Sequence, residues 1–307
     1  MNLNLLRTGL RHLGAAAITL WIAVTIAFGL GRLSGDPTTN ILGPMASPEQ
    51  RAALEAQLGL DQPLLVQYFD YLVGIVTLDF GTSLQFYQPN LTMILDRLPY
   101  TLQLVGAGMA IAVVIGVPLG VLAATREGTW WDRAASALAL LGQSIPVFWL
   151  GMMLVLLFAV RLGWLPAGQA GSWQHLVLPA VTLSLYPMAH VARLARASMA
   201  EVLREPFIDS ARARGLRTRS IVWRHGFGNA AAPVLTIVVL QAGALLSGAV
   251  AVEYVYSWPG LGQLALQAIQ FRDFPLVQAI VVFGAITFVV LNQLVDVIHV
   301  VIDPRLR

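Results

Sequence analysis

Cysteine is absent from the 307 residues, and so is lysine: all nineteen basic residues are arginine. Without cysteine there are no disulfides and no thiolate metal sites, and redox chemistry says nothing about compartment. Without lysine there is no phosphate-binding loop of the G-x-x-x-x-G-K-[ST] kind, whose lysine reaches the β- and γ-phosphates. If the protein's work is driven by ATP, another polypeptide must bind the nucleotide. Charge of either sign is scarce, at 11% of residues against about 25% in an ordinary soluble domain. With 57% of residues hydrophobic, a soluble core could not hide the apolar surface, and a bilayer is the natural solvent. The net charge of +3 is modest and comes from a local arginine excess.

What is present is a series of nearly uncharged windows, each long enough to cross a hydrocarbon core of about 20 helical residues. They predict six transmembrane helices, at 12–31, 98–125, 134–160, 175–200, 229–252 and 274–298. The fourth window opens at 162, but its first part is rich in Gly, Trp and Pro, so the span is placed from His175. A cleaved signal peptide is the rival reading of the first window. Its apolar run exceeds the usual core of roughly 7–15 residues, and no A-x-A site follows.

Arginine placement sets the orientation. With six spans both termini share a side. That side holds fourteen arginines: Arg7, Arg11, Arg126, Arg133, Arg193, Arg196, Arg204, Arg212, Arg214, Arg217, Arg219, Arg224, Arg305 and Arg307. The other side holds five, Arg32, Arg51, Arg97, Arg161 and Arg272. The termini, 1–11 and 303–307, are therefore expected in the cytoplasm, as is the loop 201–228, while 32–97 is expected outside.

In the outer segment, Ser47 and Pro48 read as a helix N-cap and first-turn pair, with Leu54 and Leu58 one turn apart. Asp61, Asp70 and Asp79 leave no window there long enough to span, so a seventh span is the weaker reading. Leu65, Phe69, Leu72 and Val76 share a helical face, which predicts an amphipathic helix on the membrane or on the helix bundle. Pro118, Pro146 and Pro187 fall inside spans. Each removes a backbone hydrogen bond and is tolerated where neighbours satisfy the freed carbonyl or the helix lines a wet cavity. No inverted internal repeat of the kind found in many secondary transporters is evident.

Reaction chemistry is missing. No H-E-x-x-H or G-x-S-x-G occurs, and His12, His175, His190, His225 and His299 lie far apart, so no catalytic residue and no metal ligand is assigned. Acids inside the spans are almost nil, unlike the relays of proton-driven pumps. Asp296 is the nearest, at a span end, and reads as structural. Mild polar residues do enter the spans: Gln103, Gln143, Ser144, Thr182, Ser184, Gln241, Asn292 and Gln293. They read as interhelical hydrogen-bond glue or as the lining of a polar passage, for which Gln103, Gln143, Ser144, Ser184 and Gln241 are the candidates.

The one strongly basic stretch is "DSARARGLRTRSIVWRH", 209–225, with five arginines between two uncharged windows. Pro206 fits the first position of a helix and Gly215 the residue just past its end. So short a helix is not stable alone in water. Phe207 and Ala211, four apart, share one face, with Arg212, Arg214, Arg217, Arg219 and Arg224 around it. The arginines fix topology, bind anionic headgroups or form a solvated face. The sharper reading is a docking helix, held between two spans, that fits a groove on a cytoplasmic partner. With no nucleotide-binding loop in the chain, an ATPase is the economical partner.

These residues resemble a known family. Asp209, Ser210 and Ala211 stand where ABC importer permeases carry the Glu-Ala-Ala of their cytoplasmic loop, and Gly215 stands at that loop's glycine. "SARARGL…VWRHGFGNAAAPVL" is similar to the variant in the dipeptide, oligopeptide and nickel importers, with His225 and Asn229 matching and Gly228 in place of an arginine. "SPEQRAALEAQLGLDQPLLVQYFDYLVGIVTLDFGTSL", "SIPVFWLGMMLVLLFA", "WPGLGQLALQAIQFRDFPLVQAIV" and "VDVIHVVIDPRLR" resemble further blocks in the family's order.

The resemblance implies an all-α integral membrane protein of the type I permease fold, with a permease core at 98–302 and an outer segment between its first two helices. That segment suggests the first permease of a pair. The implied partners are a second, similar permease, two nucleotide-binding ATPase subunits, an extracytoplasmic solute-binding protein and membrane lipid. All would sit at the cell inner membrane. The chain would bind no cofactor, ATP and Mg being used by the ATPase subunits. Coupling would fall to Glu201, Pro206, Phe207, Asp209, Ser210, Ala211, Arg212, Arg214, Gly215 and His225. The cargo would be di- or oligopeptides, or alternatively a nickel chelate or glutathione. An ion-coupled secondary transporter and an intramembrane enzyme are the rival classes; the first lacks buried acids and the second lacks a nucleophile or metal set. Nucleic-acid binding does not fit, because the loop is short and Trp223 is its one stacking aromatic.

Overall fold

The structure is a computed structural model that describes residues 3–33, 38, 42, 46–57 and 59–302. Within these residues every regular element is a helix, and the β-pairing is one isolated bridge between Thr82 and Pro89. The elements are α1 (Leu3–Leu33), α2 (Pro48–Gln57), α3 (Leu64–Val76), α4 (Asn90–Thr125) and α5 (Trp130–Ser144). They continue with α6 (Val147–Arg161), α7 (Trp173–Val202), α8 (Pro206–Ala213), α9 (Thr218–Val255), α10 (Leu261–Gln270) and α11 (Phe274–Ile302). Two compact units divide the chain, 1–98 with 264–294 and 99–263 with 295–307.

Among the described residues four helices are long and apolar enough to cross a membrane: Gly14–Arg32 within α1, then α4, α7 and α9. The expected third span, 134–160, is not one straight helix. α5 and α6 meet at a bend of 103°. The cause is Pro146, which forces the residue before it out of the helical region; Ile145 sits at φ −83°, ψ 123°. Pro118 and Pro187, by contrast, are accommodated inside α4 and α7. α11 is 29 residues long, with a described apolar stretch Phe274–Val290. Asn292, Asp296, His299, Arg305 and Arg307 lie outside the described side chains, as do His12, Arg7, Arg11 and Leu58.

In the first unit α3 spans only 13 residues, about 20 Å at 1.5 Å per residue, too short for a core about 30 Å thick. Its expected apolar face, meant for the membrane or for the bundle, is divided between packed and open positions. Tyr71, Leu72 and Ile75 close on Val24, Ala27 and Val282, while Leu65, Phe69 and Val76 stay exposed. One face therefore meets the protein and the other is left apolar and open, as an interfacial helix requires. The Tyr68 and Thr25 hydroxyls lie 2.8 Å apart, and Phe28 meets the Tyr68 ring edge-on at 5.2 Å. The Ser47 cap forms as the sequence predicts, with Gln50 N–H donating to Ser47 Oγ at 3.2 Å and Ser47 N–H to Gln50 Oε1 at 3.0 Å. Asp273, buried, ties the end of the outer segment to α11. It accepts from Ser83 Oγ at 2.5 Å and from Gln85 N–H at 3.2 Å, and caps Leu276 N–H at 3.3 Å.

The second unit is built on a ladder of small residues along α4. Gly108, Ala112, Gly116, Gly120 and Ala124 recur every fourth position and form one stripe. A side chain at Gly116 would meet the Met188 carbonyl at 2.8 Å, and one at Gly120 would run into the Ala192 carbonyl and Ala195 of α7. The backbones approach this closely because the stripe carries no bulk. Around it, Val117, Val121, Val191, Ala195, Met199 and Val234 form one buried cluster. Leu104, Leu178, Leu183, Val252, Tyr256 and Trp258 form a second.

Candidate functional site

The basic stretch folds as the Pro206 and Gly215 signals predict. α8 begins with Pro206 after an extended Glu205 (φ −74°, ψ 143°). It ends at Gly215, whose φ of +74° is the left-handed conformation that favours glycine. Gly215 N–H donates to the Arg212 carbonyl at 2.9 Å and Leu216 N–H to the Ala211 carbonyl at 3.3 Å. These two bonds make a Schellman cap and satisfy the last carbonyls of the helix.

The inner face of α8 is Ile208 and Ala211, 0% and 2% exposed, packed with Ile221 of α9 and Leu203 at the end of α7. This corrects the expectation that Phe207 and Ala211 share one face. Ala211 points in, and Phe207 stands out at 39% exposure. The face open to a partner holds Pro206, Phe207, Asp209, Ser210, Arg212 and Arg214. Arg212 pairs with Asp209 at 2.9 Å in the open, a contact of little energetic weight. Arg214 Nε donates back to the Ser210 carbonyl at 3.2 Å. Eight residues alone would not hold a helix in water; the two buried side chains fix it to both flanking spans.

The connector is shorter than 201–228. α7 runs to Val202, and α9 starts at Thr218, passing through a π-helical stretch, Ile221–Phe227. Gly226 lies in that stretch against Met199 of α7, where a side chain would collide with the methionine methyl. Asn229 Nδ2 donates to the His225 carbonyl at 2.6 Å, meeting an acceptor within the widened turn. His225 is thus half-buried inside α9, and Glu201 is exposed in the last turn of α7. A Cβ added at Gly228 would have nothing within 4 Å, so a longer side chain there would enter open space.

The same end of the second unit carries contacts that sequence reasoning missed. Arg196 of α7 grips Asp132 of α5 through Nε at 2.5 Å and Nη2 at 2.8 Å, and Asp132 also accepts from Gly128 N–H at 3.1 Å. Arg204 holds Glu127 at 2.9 Å, more exposed. Arginines expected only to fix topology therefore also order the 126–132 turn.

A second polar knot lies at the far end of α9. Glu253 is fully buried. It accepts from Thr101 Oγ1 at 2.6 Å, Gly262 N–H at 2.7 Å and Gln263 N–H at 3.1 Å. Thr101 in turn accepts from Leu261 N–H at 2.8 Å. The orphan donors of the first turn of α10 are thereby met. A side chain at Gly260 would occupy the Glu253 carboxylate, which explains the glycine in "WPGLG". Trp258 Nε1 donates to the Tyr100 carbonyl at 2.9 Å, and the Tyr256 hydroxyl donates to the Gly151 carbonyl at 3.2 Å.

Among the described residues, those proposed to line a passage sit in different surroundings. Gln103 and Ser144 are exposed, and Ser144 Oγ donates to the Leu140 carbonyl at 3.0 Å. Ser184 is buried and donates to Val181 of its own helix at 2.8 Å. Gln143 and Gln241 each hold a buried amide nitrogen with no partner.

The sequence matches the family model described as "Binding-protein-dependent transport system inner membrane component" over residues 116–307. It matches the N-terminal model of the same systems over 5–105. The chain belongs to this family. It is an ABC importer permease. Relatives include the glutathione transport system permease GsiC of Salmonella typhimurium, 41% identical over 297 residues and 97% of each chain. The dipeptide transport system permease DppB of Alkalihalophilus pseudofirmus is 38% identical, covering 90% of this chain and 91% of its own. Among solved structures, a chain of the inward-facing MetNI methionine ABC transporter shares the fold, with a TM-score of 0.59 at 21% identity over 69% of this permease and 96% of that chain.

Proposed function

We propose that this permease moves short peptides, glutathione among them, across the cytoplasmic membrane by alternating access, driven by separate ATPase subunits that grip α8. The observation that carries this reading is the construction of α8. It is anchored by Ile208 and Ala211 to both neighbouring spans, yet turns Phe207, Arg212 and Arg214 outward. A force on such a helix reaches α7 and α9 together. Two permease subunits, two ATPase subunits and an extracytoplasmic binding protein make up the assembly, with the termini and α8 on the cytoplasmic side. Fourteen of nineteen arginines on that side support this orientation. ATP and Mg belong to the ATPase subunits, and this chain performs no chemistry. The cargo class rests on relatives that transport dipeptides and glutathione, and glutathione is itself a short peptide.

Arg212→Glu with Arg214→Glu is expected to cut recovery of the ATPase subunits with the tagged permease by about tenfold in moderate salt. Full recovery would leave α8 a topology anchor. Uptake of labelled dipeptide into proteoliposomes, with glutathione, longer peptides and a nickel chelate as competitors, tests the cargo. Competition by the nickel chelate alone would replace the peptide reading.

A further inference from the structure

A cavity of about 220 Å³ lies between α4, α5 and α7, and neither the α8 surface nor the passage candidates use it. Its walls are Leu119, Ala123, Ala135, Ala139, Leu140 and Ala192, with Ser136 as the one hydroxyl. Two arginines, Arg193 and Arg196, line it as well. Arg196 is held by Asp132. Arg193 is exposed, and among the described residues no acid pairs with it.

The depth of the cavity follows from its neighbours. Trp130 and Trp131 stack at 3.8 Å and both are exposed, and the Arg126 guanidinium sits 5.3 Å over the Trp131 ring. Exposed tryptophans beside arginines on a membrane protein mark the headgroup level. Ala135 to Leu140 follow Trp131 along α5, about 6–14 Å further along its axis at 1.5 Å per residue, and face Leu119, Ala123 and Ala192 of the membrane-spanning α4 and α7. Beyond them, Leu140 and Leu141 are exposed on the apolar surface. The cavity therefore has methyl-lined walls at acyl-chain depth and a free cation beside them. Its polar groups, Ser136, Arg193 and Arg196, are outnumbered by apolar walls, which a soluble anion would leave unfilled.

We propose that this cavity binds one acyl chain of an anionic phospholipid whose headgroup phosphate is held by Arg193. Basic pockets between transmembrane helices take such headgroups. The proposal rests on the membrane-spanning character of α4 and α7, and not on ATPase coupling, so the two readings fail separately.

The test uses the solubilised full-length permease with the subunits that co-purify. It is exchanged into phosphatidylglycerol or phosphatidylcholine carrying the same photoreactive acyl chain, and labelled peptides are mapped by mass spectrometry. Phosphatidylglycerol is expected to label 135–140 preferentially. Arg193→Gln should lower that labelling about fivefold, as loss of one arginine near a headgroup does, and leave phosphatidylcholine labelling unchanged. Ala139→Phe, which fills the cavity, should abolish labelling by both lipids. Equal labelling by the two lipids that ignores Arg193→Gln would overturn the headgroup assignment. Labelling that survives Ala139→Phe would overturn the cavity. Displacement of the lipid by millimolar inorganic phosphate would make it a site for a free anion. A peptide 135–140 that labels with neither lipid and cross-links to a second permease would make it a subunit contact.

Discussion

The two ends of α9 handle charge in opposite ways. At the Glu253 end, one carboxylate and one threonine meet amide donors of three successive residues, and everything polar is inside. At the α8 end, the buried face is purely aliphatic, Ile208, Ala211 and Ile221, and the arginines point outward with little to pair with. A polar group saturated within its own chain fixes shape. A charged group left outward is available to another molecule. The first end is thus a joint, and the second is a handle.

Breaking the joint should cost most. Glu253→Ala orphans buried donors at Thr101, Gly262 and Gln263, and each unmet group costs about 1–3 kcal/mol. The solubilised chain should lose roughly 3 kcal/mol or more of stability, seen as a large fall in the unfolding midpoint. A fall no larger than that of an exposed substitution would refute the joint. Next comes Asp132→Ala, which removes the carboxylate that orders the 126–132 turn. Arg196 is about one-third exposed, so water screens part of the loss, and about 1–2 kcal/mol is expected. The same variant should raise protease cleavage within 126–133.

The handle should behave differently. Phe207→Ala removes an exposed ring, so stability should stay within about 0.5 kcal/mol. Peptide-stimulated ATP hydrolysis by the reconstituted assembly should nevertheless fall about tenfold. A stability loss as large as that of Asp132→Ala would show that Phe207 is a packing residue. The smallest effect is expected from Gly228→Arg, where the new side chain enters open space. Unfolding midpoint and uptake should both match the parent.

Some of this was readable along the chain and some was not. Pro206, Gly215 and Ser47 act on the backbone within a few residues, so their caps could be placed from sequence. The π-helical opening of α9 could not. Thr218 to Gly228 carry arginines and two glycines, which read as loop until Gly226 is seen to let Met199 approach. Phe207 and Ala211 are four apart and did share a face in projection. Which side of so short a helix is buried depends on Ile221 and Leu203, and Ile208 proved the better fit. The passage candidates were chosen by polarity alone, and polarity does not say whether a serine bonds its own helix, as Ser184 does.

Glu253 illustrates the limit most clearly. In the sequence it is one acid near the end of an apolar run. Its partner Thr101 is 152 residues away. Composition, arginine asymmetry and uncharged windows determined by themselves that this is a helical membrane protein with a basic connector, because the cost of placing charge in hydrocarbon acts on every residue regardless of its neighbours. The tertiary structure alone decided which helix face is hidden, which carboxylate is saturated and where a cavity remains. Those depend on the distance between atoms from remote segments, and no local pattern encodes that distance.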